Sequence, residues 1–227
     1  MSKAKTKIIP GTWVFRVKRN PSGEMTKFKA RYCVRGDLED MDSSFILWVS
    51  STEPSLFVDA DFCGLYNTEP HTDPNSVRSR TGFIVKLSNC PLVWRSQLQT
   101  SITCSTLEAE YNALSSALKT LIPLKRLLIE ATDHVELDNG IRATIRASAF
   151  EDNQGAYFLA TNQRITSRTR WYLNKWHWFW QHVTKDGVGP ETVAIHELDT
   201  SLQDADYFTK AQSCEPFKSN RFRVQGW

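Results

Sequence analysis

Residues 55–62 read SLFVDADF, and the alternation within this stretch decides which fold to expect. In an extended strand Phe57, Asp59 and Asp61 share one face, while the apolar residues between them lie on the other. An acid in the middle of an apolar strand costs free energy unless it is paired or bound to a metal. The stretch therefore predicts a strand whose acidic side chains are paired or bound to a metal.

The chain beyond this strand continues as a mixture of strands and helices. Apolar patterns predict further strands at 81–87, 91–96, 143–150 and 191–196, with a short extension of the sheet at 99–104. Helices are predicted at 107–121, 153–161, 171–185 and 201–211, and the tail after residue 211 gives no clear pattern. This order predicts one α/β domain over residues 55–211, followed by a tail at 212–227.

The first long helix carries an apolar stripe and two candidate acids. The stripe consists of Leu107, Tyr111, Leu114, Leu118 and Leu121. At about 100° per residue, Glu110 lies closer to the stripe than Glu108, so Glu110 is the acid better aimed at the sheet. Pro123 is expected to end or kink this helix because it lacks a backbone donor.

The residues before the α/β domain form a different kind of segment. An alternating pattern on both sides of Asn20-Pro21-Ser22-Gly23 predicts a hairpin within residues 1–38, and residues 39–54 have the composition of a junction. Up to residue 37 the chain has ten of its 28 Lys and Arg but two of its 25 acids, a net charge of +8. The rest carries −5, so a basic head precedes a mildly acidic body.

Composition excludes several classes of protein. With 227 residues the chain is long enough for roughly one and a half domains, and its apolar runs are shorter than the ~18 residues of a membrane span. Its start lacks the apolar stretch of a secretory signal. Five scattered cysteines without a C-x-x-C pair argue against a disulfide framework or zinc site. We therefore expect a cytoplasmic protein, with the nucleus and virus-like particles as alternatives, and no membrane partner.

Acids from two strands and two helices can converge in such a fold. The candidates are Asp59, Glu110, Asp152 (directly after the strand at 143–150) and Asp206 on the last helix. Asp152 could instead cap the helix that follows it, Asp59 could pair with an arginine, and Glu110 and Asp206 could be solvated. As a group, carboxylate oxygens suit Mg²⁺, and two such ions roughly 4 Å apart are the usual apparatus of phosphodiester cleavage.

Several motifs in a fixed order resemble the ribonuclease H domain of copia-type retrotransposon polyproteins. The matching pieces are VDADFCG, RSRTGFIVKL, VWRSQLQTSITCSTLEAEYNALSSA, EDNQGA, SRT and DTSLQDADYFTKA, over about residues 56–212. The resemblance implies a ribonuclease H-like mixed sheet flanked by helices. It places the catalytic, metal-binding acids at Asp59, Glu110, Asp152 and Asp206, with Asp61 and Glu108 as alternates. It also implies a mobile catalytic histidine ten residues before the last acid, which is His196, expected in a loop.

The head resembles another part of the same polyproteins. Residues 10–38, PGTWVFRVKRNPSGEMTKFKARYCVRGDL, look like the start of the copia-type reverse transcriptase, in the hairpin region of its fingers. The polymerase of that family uses two adjacent aspartates, and this sequence contains no Asp-Asp pair. We therefore expect a fingers fragment without a palm, and no DNA synthesis by this chain.

The implied activity is Mg²⁺-dependent hydrolysis of the RNA strand of an RNA/DNA hybrid, with two metal ions and Mn²⁺ as an alternative. Nucleic-acid contacts are expected at Arg78, Arg80 and Arg168, with Arg95 and Gln97 as further candidates. The alternative is a non-catalytic relic of a retroelement that at most binds nucleic acid. The stretch WYLNKWHWFW at 171–180 departs from the family, and it is either core packing or a stacking surface. The oligomeric state does not follow from the sequence.

Overall fold

A computed structural model describes residues 11–19, 25–34, 53–66, 72–87, 90–133, 145–167, 169–170, 172 and 174–225. The chain divides into two compact units, Met1–Trp48 and Val49–Trp227. In the first unit, β1 (Gly11–Arg19) pairs antiparallel with β2 (Met25–Val34), from Gly11 opposite Val34 onward. The predicted hairpin is confirmed, while its turn at 20–23 and most of the junction at 39–54 lie outside the described residues.

The second unit contains five strands and four α-helices. The strands are β3 (Pro54–Asp61), β4 (Arg80–Leu87), β5 (Cys90–Leu98), β6 (Ser148–Glu151) and β7 (Ala194–Glu197). The helices are α1 (Thr106–Asp133), α2 (Gln154–Asn162), α3 (Asp206–Thr209) and α4 (Cys214–Gln225). Two 3₁₀ helices, Asn174–His182 and Thr200–Leu202, complete the described elements.

The five strands form one mixed sheet in the order β5-β4-β3-β6-β7. β3, β4 and β5 pair antiparallel, whereas β6 runs parallel to β3 and β7 parallel to β6. Because parallel neighbours need a crossover, the connections after β5 and β6 carry the helices α1 and α2. The predicted fold class, an α/β mixed sheet flanked by helices, is confirmed.

Helix α1 supplies the main contact with the sheet. Tyr111, Leu114, Leu118 and Leu121 are fully buried, as the predicted stripe requires. Burying each such side chain contributes roughly 1.5–3 kcal/mol. The helix packs on the face of β3 that presents Leu56 and Val58, so the opposite face of β3 is the one that carries Phe57 and Asp59.

Pro123, which was expected to end or kink α1, does not end it. The helix continues from Thr106 to Asp133 with Pro123 inside it. Both Pro123 and Lys119, whose carbonyl Pro123 leaves without its usual donor, are exposed. Water can therefore bind the freed carbonyl, and the proline is tolerated there.

The segment at 99–104 is not an extension of the sheet, because β5 ends at Leu98. Gln99 and Thr103 turn inward and are buried. Gln99 donates through Nε2 to the Ala109 carbonyl (2.9 Å) and to Thr81 Oγ1 (3.0 Å), and Thr103 shares a 2.8 Å hydroxyl contact with Ser79. These side-chain bonds take the place of a strand ladder and lead the chain into α1.

The predicted helix at 201–211 is divided into two short pieces. The 3₁₀ helix Thr200–Leu202 ends at Gln203, whose backbone is extended (φ −73°, ψ 102°), and α3 then starts at Asp206. Beyond it lies α4, which the sequence did not indicate. Arg223 of α4 donates to Asp204 Oδ1 (2.8 Å), so this helix is fastened to the turn that precedes α3.

Within the aromatic stretch at 171–180, the residues from Asn174 onward belong to the 3₁₀ helix Asn174–His182, which packs on α1, while Trp171 and Leu173 lie outside the described residues. Trp176 and Phe179 are buried in the core, and Trp178 and Trp180 pack against it half-buried. Trp178 Nε1 donates to Ser115 Oγ (3.0 Å) on α1. Of the two interpretations, core packing therefore applies to the described part of this stretch.

Candidate metal centre

Asp59 lies in β3, and Asp152 directly follows the neighbouring strand β6 at the same end of the sheet. In the parallel pair of β3 and β6, Phe57 is opposite Phe150, and their rings stack with centroids 5.0 Å apart. Asp59 and Asp152 each follow by two residues. Because side chains alternate along a strand, both acids continue the same row on the same face. Asp59 is buried and Asp152 is half-buried.

Glu110, and not Glu108, joins these aspartates from α1. One carboxylate oxygen from each of Asp59, Glu110 and Asp152 lies within 4.8 Å of the other two. Glu108 instead closes the start of the helix: its backbone N–H donates to Ser105 Oγ (3.1 Å), and its Oε2 accepts from the Cys104 N–H (2.7 Å). That arrangement is a capping box in which the backbone donor to the glutamate is Cys104 instead of the cap residue Ser105. Glu108 therefore caps α1, and Glu110 is the glutamate of this motif that lies in the acid cluster.

Asp61 lies outside this cluster. It is the last residue of β3, is half-buried and stands opposite Arg80 in the antiparallel register. Burial raises the pKa of its carboxyl, while Lys210 and Arg80 lower it. Of the two aspartates on this face, the structure therefore brings Asp59 to Glu110 and Asp152.

The electrostatics of the cluster are those of crowded, desolvated carboxylates. Burial raises the pKa of Asp59 to about 7, and Asp206 and Asp152 add to the rise. Burial, followed by the charges of Glu151, Asp59 and Asp152, raises the pKa of Glu110 to about 11. Like charges at close range and low dielectric disfavour ionisation of the group. A cation placed among these oxygens would reverse that effect.

The donor set fits a divalent ion. Glu110 Oε2 is buried and has no hydrogen-bond partner among the described residues, so it has lone pairs left to coordinate. Three carboxylate oxygens at mutual distances within 4.8 Å match the oxygen ligands that Mg²⁺ and Mn²⁺ prefer. Asp59, Glu110 and Asp152 are thus the residues that could hold a metal.

The fourth predicted acid, Asp206, lies beside the cluster but is not one of its three close members. It is the first residue of α3, and its Oδ1 pairs with Lys210 Nζ at 2.7 Å. Lys210 Nζ is also 4.0 Å from Asp59 Oδ2. The ammonium group therefore lies between Asp206 and Asp59.

His196 is in a strand rather than in the loop where the sequence placed it. It is the third residue of β7, is paired with Phe150 on β6 and is exposed. Its ring stacks on Phe150 with centroids 5.5 Å apart, and this stacking and strand pairing fix it within the sheet. The prediction of a loop was wrong because β7 continues through His196 to Glu197.

The basic candidates for nucleic-acid contacts occupy different surroundings. Arg80 is half-buried and donates to Ser96 Oγ (3.4 Å), and Arg78 is half-buried with its Nε lacking a partner among the described residues. Arg95 and Gln97 are exposed on β5, with the Arg95 guanidinium 5.9 Å from the centre of the Phe83 ring. Arg168 lies outside the described residues.

Several residues around the cluster were missed from the sequence. Thr209 Oγ1 donates to Asp59 Oδ2, and Lys210 pairs with Asp206; their spacing of three and four residues from Asp206 on a helix could have indicated them. Glu151 is fully buried and raises the pKa of Glu110. Strand alternation turns it toward the face that α1 covers, away from Asp152; it belongs to the EDNQGA motif, of which the resemblance assigned a role to Asp152 alone.

No family model matches the chain, but related proteins exist among curated sequences. It is 29% identical over 202 residues to the retrovirus-related Pol polyprotein from transposon TNT 1-94 of Nicotiana tabacum. It is 28% identical over 163 residues to the corresponding polyprotein from transposon RE1 of Arabidopsis thaliana. These alignments cover 87% and 72% of this chain but 13% and 10% of the polyproteins, so the chain spans a small part of their length.

Solved structures with a similar course of the chain include two ribonuclease H domains. One is the N-terminal RNase H domain of Rv2228c from Mycobacterium tuberculosis, fused to maltose-binding protein (TM-score 0.44, 13% identity, 75% of this chain and 96% of that one). The other is LC11-RNase H1, isolated from compost (TM-score 0.45, 12% identity, 70% and 93%).

The mixed sheet and its cluster of acids thus define an α/β protein with a candidate divalent-metal centre. Its relatives are retrovirus-related Pol polyproteins from plant transposons, which confirms the relationship predicted from the motifs. Among the described residues, no helix is both long and apolar enough to cross a bilayer.

Proposed function

We propose that this chain is a Mg²⁺-dependent ribonuclease H that hydrolyses the RNA strand of RNA/DNA hybrids. The observation that carries the proposal is the convergence of Asp59, Glu110 and Asp152 within 4.8 Å, with Asp206 beside them. These acids come from positions 59 to 206, yet they meet at one edge of the sheet. The relationship to retrotransposon Pol polyproteins supplies the substrate class.

The three close carboxylates and Asp206 would hold two metal ions, with Mn²⁺ as an alternative to Mg²⁺. When bound, such ions lower the pKa of an attacking water and stabilise the charge on the departing 3′ oxygen. Hydrolysis adds water across the P–O3′ bond and leaves 5′-phosphate and 3′-hydroxyl ends. In this proposal the protein holds the reacting phosphate beside the carboxylates and keeps the carboxylates oriented for the reaction.

Hydrogen bonds from residues next to the cluster fix the orientation of its carboxylates. Thr209 holds Asp59 through its hydroxyl, and the Ala60 backbone N–H donates to Glu110. Ligands oriented in this way need little rearrangement when a metal binds. His196 is exposed at the end of the row formed by Phe57 and Phe150, so its imidazole can exchange a proton with solvent near the site. We propose this exchange as its role.

Binding of the hybrid is proposed to use basic residues near the acids. Arg80 is opposite Asp61 on the face of the sheet that carries Asp59, and we propose that it contacts the backbone of a bound duplex; Arg95 is opposite Phe83 on the other face. Such phosphate contacts are insensitive to sequence and weaken with salt. Selection of the RNA strand would come from contacts with its 2′-hydroxyls.

The test incubates the purified chain with a labelled RNA/DNA hybrid and Mg²⁺, beside double-stranded RNA and DNA of the same sequence. We expect cleavage of the RNA strand of the hybrid, and loss of at least ~10³-fold in rate for Asp152→Asn. The matched control is Asp199→Asn, because Asp199 is an exposed cap that accepts from the Ser201 N–H (2.8 Å) and asparagine caps equally well.

The outcomes separate the alternatives. A folded parent chain that cleaves none of these duplexes contradicts the proposal and leaves the non-catalytic relic. Equal cleavage by the parent and by Asp152→Asn assigns the activity to a different site or to a contaminant.

A further inference from the structure

Gln203 is a fully buried polar side chain at the edge of the acid cluster. It lies between the 3₁₀ helix Thr200–Leu202 and α3, where the sequence predicted an uninterrupted helix. Its extended backbone turns the side chain into the sheet instead. A buried carboxamide is costly unless its donors and acceptor are satisfied, so its partners define why it is there.

Each polar atom of Gln203 has a partner. Nε2 donates to the Val58 carbonyl at 2.8 Å and to Asp152 Oδ1 at 3.4 Å, and Oε1 accepts from the Ala205 N–H at 3.3 Å. A carboxamide nitrogen has two N–H groups, which matches the two acceptors. One contact reaches the residue before Asp59, and the other reaches a carboxylate of the cluster itself.

The place of these contacts follows from the end of a strand pair. The last residues paired between β3 and β6 are Phe57 and Phe150. The Gln203 amide bridges them one step further, between Val58 and Asp152. It thereby fixes the distance between the two strands where both present an acid.

We propose that Gln203 is a positioning residue that orients Asp152 toward Asp59 and Glu110 for metal binding. Gln203 is three residues before Asp206. The turn that precedes Asp206 therefore also carries the side chain that orients Asp152. The inference rests on the proposed function, since it concerns the same metal centre. It acts through Asp152, and Gln203 itself does not contact the reacting atoms.

The test measures binding of Mn²⁺ alone to the full chain, from the loss of the six-line electron paramagnetic resonance signal of the free ion. Gln203→Met keeps the length and shape of the side chain but removes both donors. Partners that orient metal ligands typically contribute 10–100-fold in metal affinity, so we expect the Kd for Mn²⁺ to rise about tenfold or more. Circular dichroism and thermal unfolding verify that each variant is folded at the temperature of the titration.

A matched control is available in Gln99. It is also buried and donates through Nε2 to a backbone carbonyl and to Thr81, while its Oε1 accepts from Asn112 Nδ2 (3.0 Å); none of these partners is a carboxylate. Gln99→Met should lower the unfolding temperature as Gln203→Met does, yet leave the Kd for Mn²⁺ within about twofold of the parent. A purely structural role for Gln203 predicts the same result for both variants.

A double-mutant cycle with Asp152→Asn isolates the route of the effect. If Gln203 acts through Asp152, adding Gln203→Met to Asp152→Asn should change the Kd for Mn²⁺ by no more than about twofold further. Full additivity of the two changes would overturn the inference. Gln203→Asn, one methylene shorter but still a donor, is the second variant if Gln203→Met does not fold, and it should raise the Kd by a smaller factor.

The failure of this inference differs from the failure of the proposed function. A parent chain that binds Mn²⁺ and cleaves the hybrid, beside folded Gln203 variants with the parent Kd, overturns the positioning role alone. A folded parent that binds no Mn²⁺ contradicts the metal centre, and the positioning role with it.

Discussion

Two buried acidic sites in this protein differ in how many cations accompany their carboxylates. Asp204 is surrounded by cations: Lys86 Nζ lies 2.5 Å from Oδ2, and Arg223 Nε lies 2.8 Å from Oδ1. Lys86 is itself buried and also donates to the Arg223 carbonyl (2.8 Å). The cluster of Asp59, Glu110 and Asp152 has more acids in the same kind of environment. Among the described residues, Lys210 is the one cation that pairs with it.

The contrast shows which buried charges hold the fold together and which require something else. Around Asp204 each carboxylate oxygen is paired with a cation, so the network fastens β4 and α4 to the turn before α3. Around Glu110 a buried oxygen has no partner, and the pKa values of Asp59 and Glu110 are raised. Strongly perturbed acids in a group are characteristic of functional sites. Three experiments test this difference between the Asp204 network and the acid cluster.

The largest effect on stability is expected from removing the carboxylate of Asp204. Asp204→Ala leaves Lys86 buried without its carboxylate, and breaking a buried ion pair typically costs 3–5 kcal/mol. We expect the free energy of unfolding in urea to fall by about 3 kcal/mol or more. Asp199→Ala, which removes an exposed cap, should cost about 1 kcal/mol. A loss for Asp204→Ala no larger than that of Asp199→Ala would contradict the contrast.

An intermediate effect is expected from pH in the absence of divalent metal. The pKa of Asp59 is raised from 3.8 to about 7, so the folded state binds a proton more tightly than the unfolded state does. Its contribution to stability is therefore complete below about pH 4 and is lost as the pH rises toward 7 and above. The raised pKa of Glu110 acts in the same direction.

We accordingly expect the free energy of unfolding in EDTA to be about 2 kcal/mol lower at pH 8 than at pH 5. Adding Mg²⁺ at pH 8 should restore much of this difference, since an ion that binds only the folded state stabilises it. Asp59→Asn should flatten the dependence. A stability that rises with pH in EDTA would show that the acids are not crowded as described.

The smallest effect is expected from Lys210, which is 43% exposed. Lys210→Met removes the cation between Asp206 and Asp59, and partly exposed pairs are worth up to about 1 kcal/mol. We expect a loss of stability of about that size in EDTA at pH 8, which Mg²⁺ should diminish. The control is Lys218→Met, since Lys218 pairs with Glu215 (2.9 Å) on the surface of α4. Equal responses to Mg²⁺ in both variants would contradict the placement of Lys210 within the metal centre.

The elements that the sequence predicted correctly are those with local signals. The stripe on α1 and the alternation in β3 are periodic, so they indicated the helix, the strand and the placement of Glu110. Where a single side chain overrides the pattern, prediction was wrong: Gln203 divides the predicted helix at 201–211.

Long-range contacts were beyond the reach of sequence patterns. Nothing local indicates that Gln203 bonds to Val58 and Asp152, or that Arg223 of an unrecognised helix bonds to Asp204. The motif resemblance supplied Asp206 and His196, but not the position of Lys210 between two acids or the strand that contains His196. Such details depend on how distant segments meet, and periodicity within one segment carries no information about that.

The bond from Thr209 to Asp59 joins residues 150 positions apart, and this separation has a consequence for how the protein folds. Closing so long a loop has a high entropic cost, so contacts of this kind form late and slowly. The three close acids are all synthesised by residue 152, whereas their hydroxyl and ammonium partners come more than fifty residues later. The affinity for metal should therefore appear in the last stage of folding, after the sheet is in place, and a bound ion would act as a marker of completed assembly.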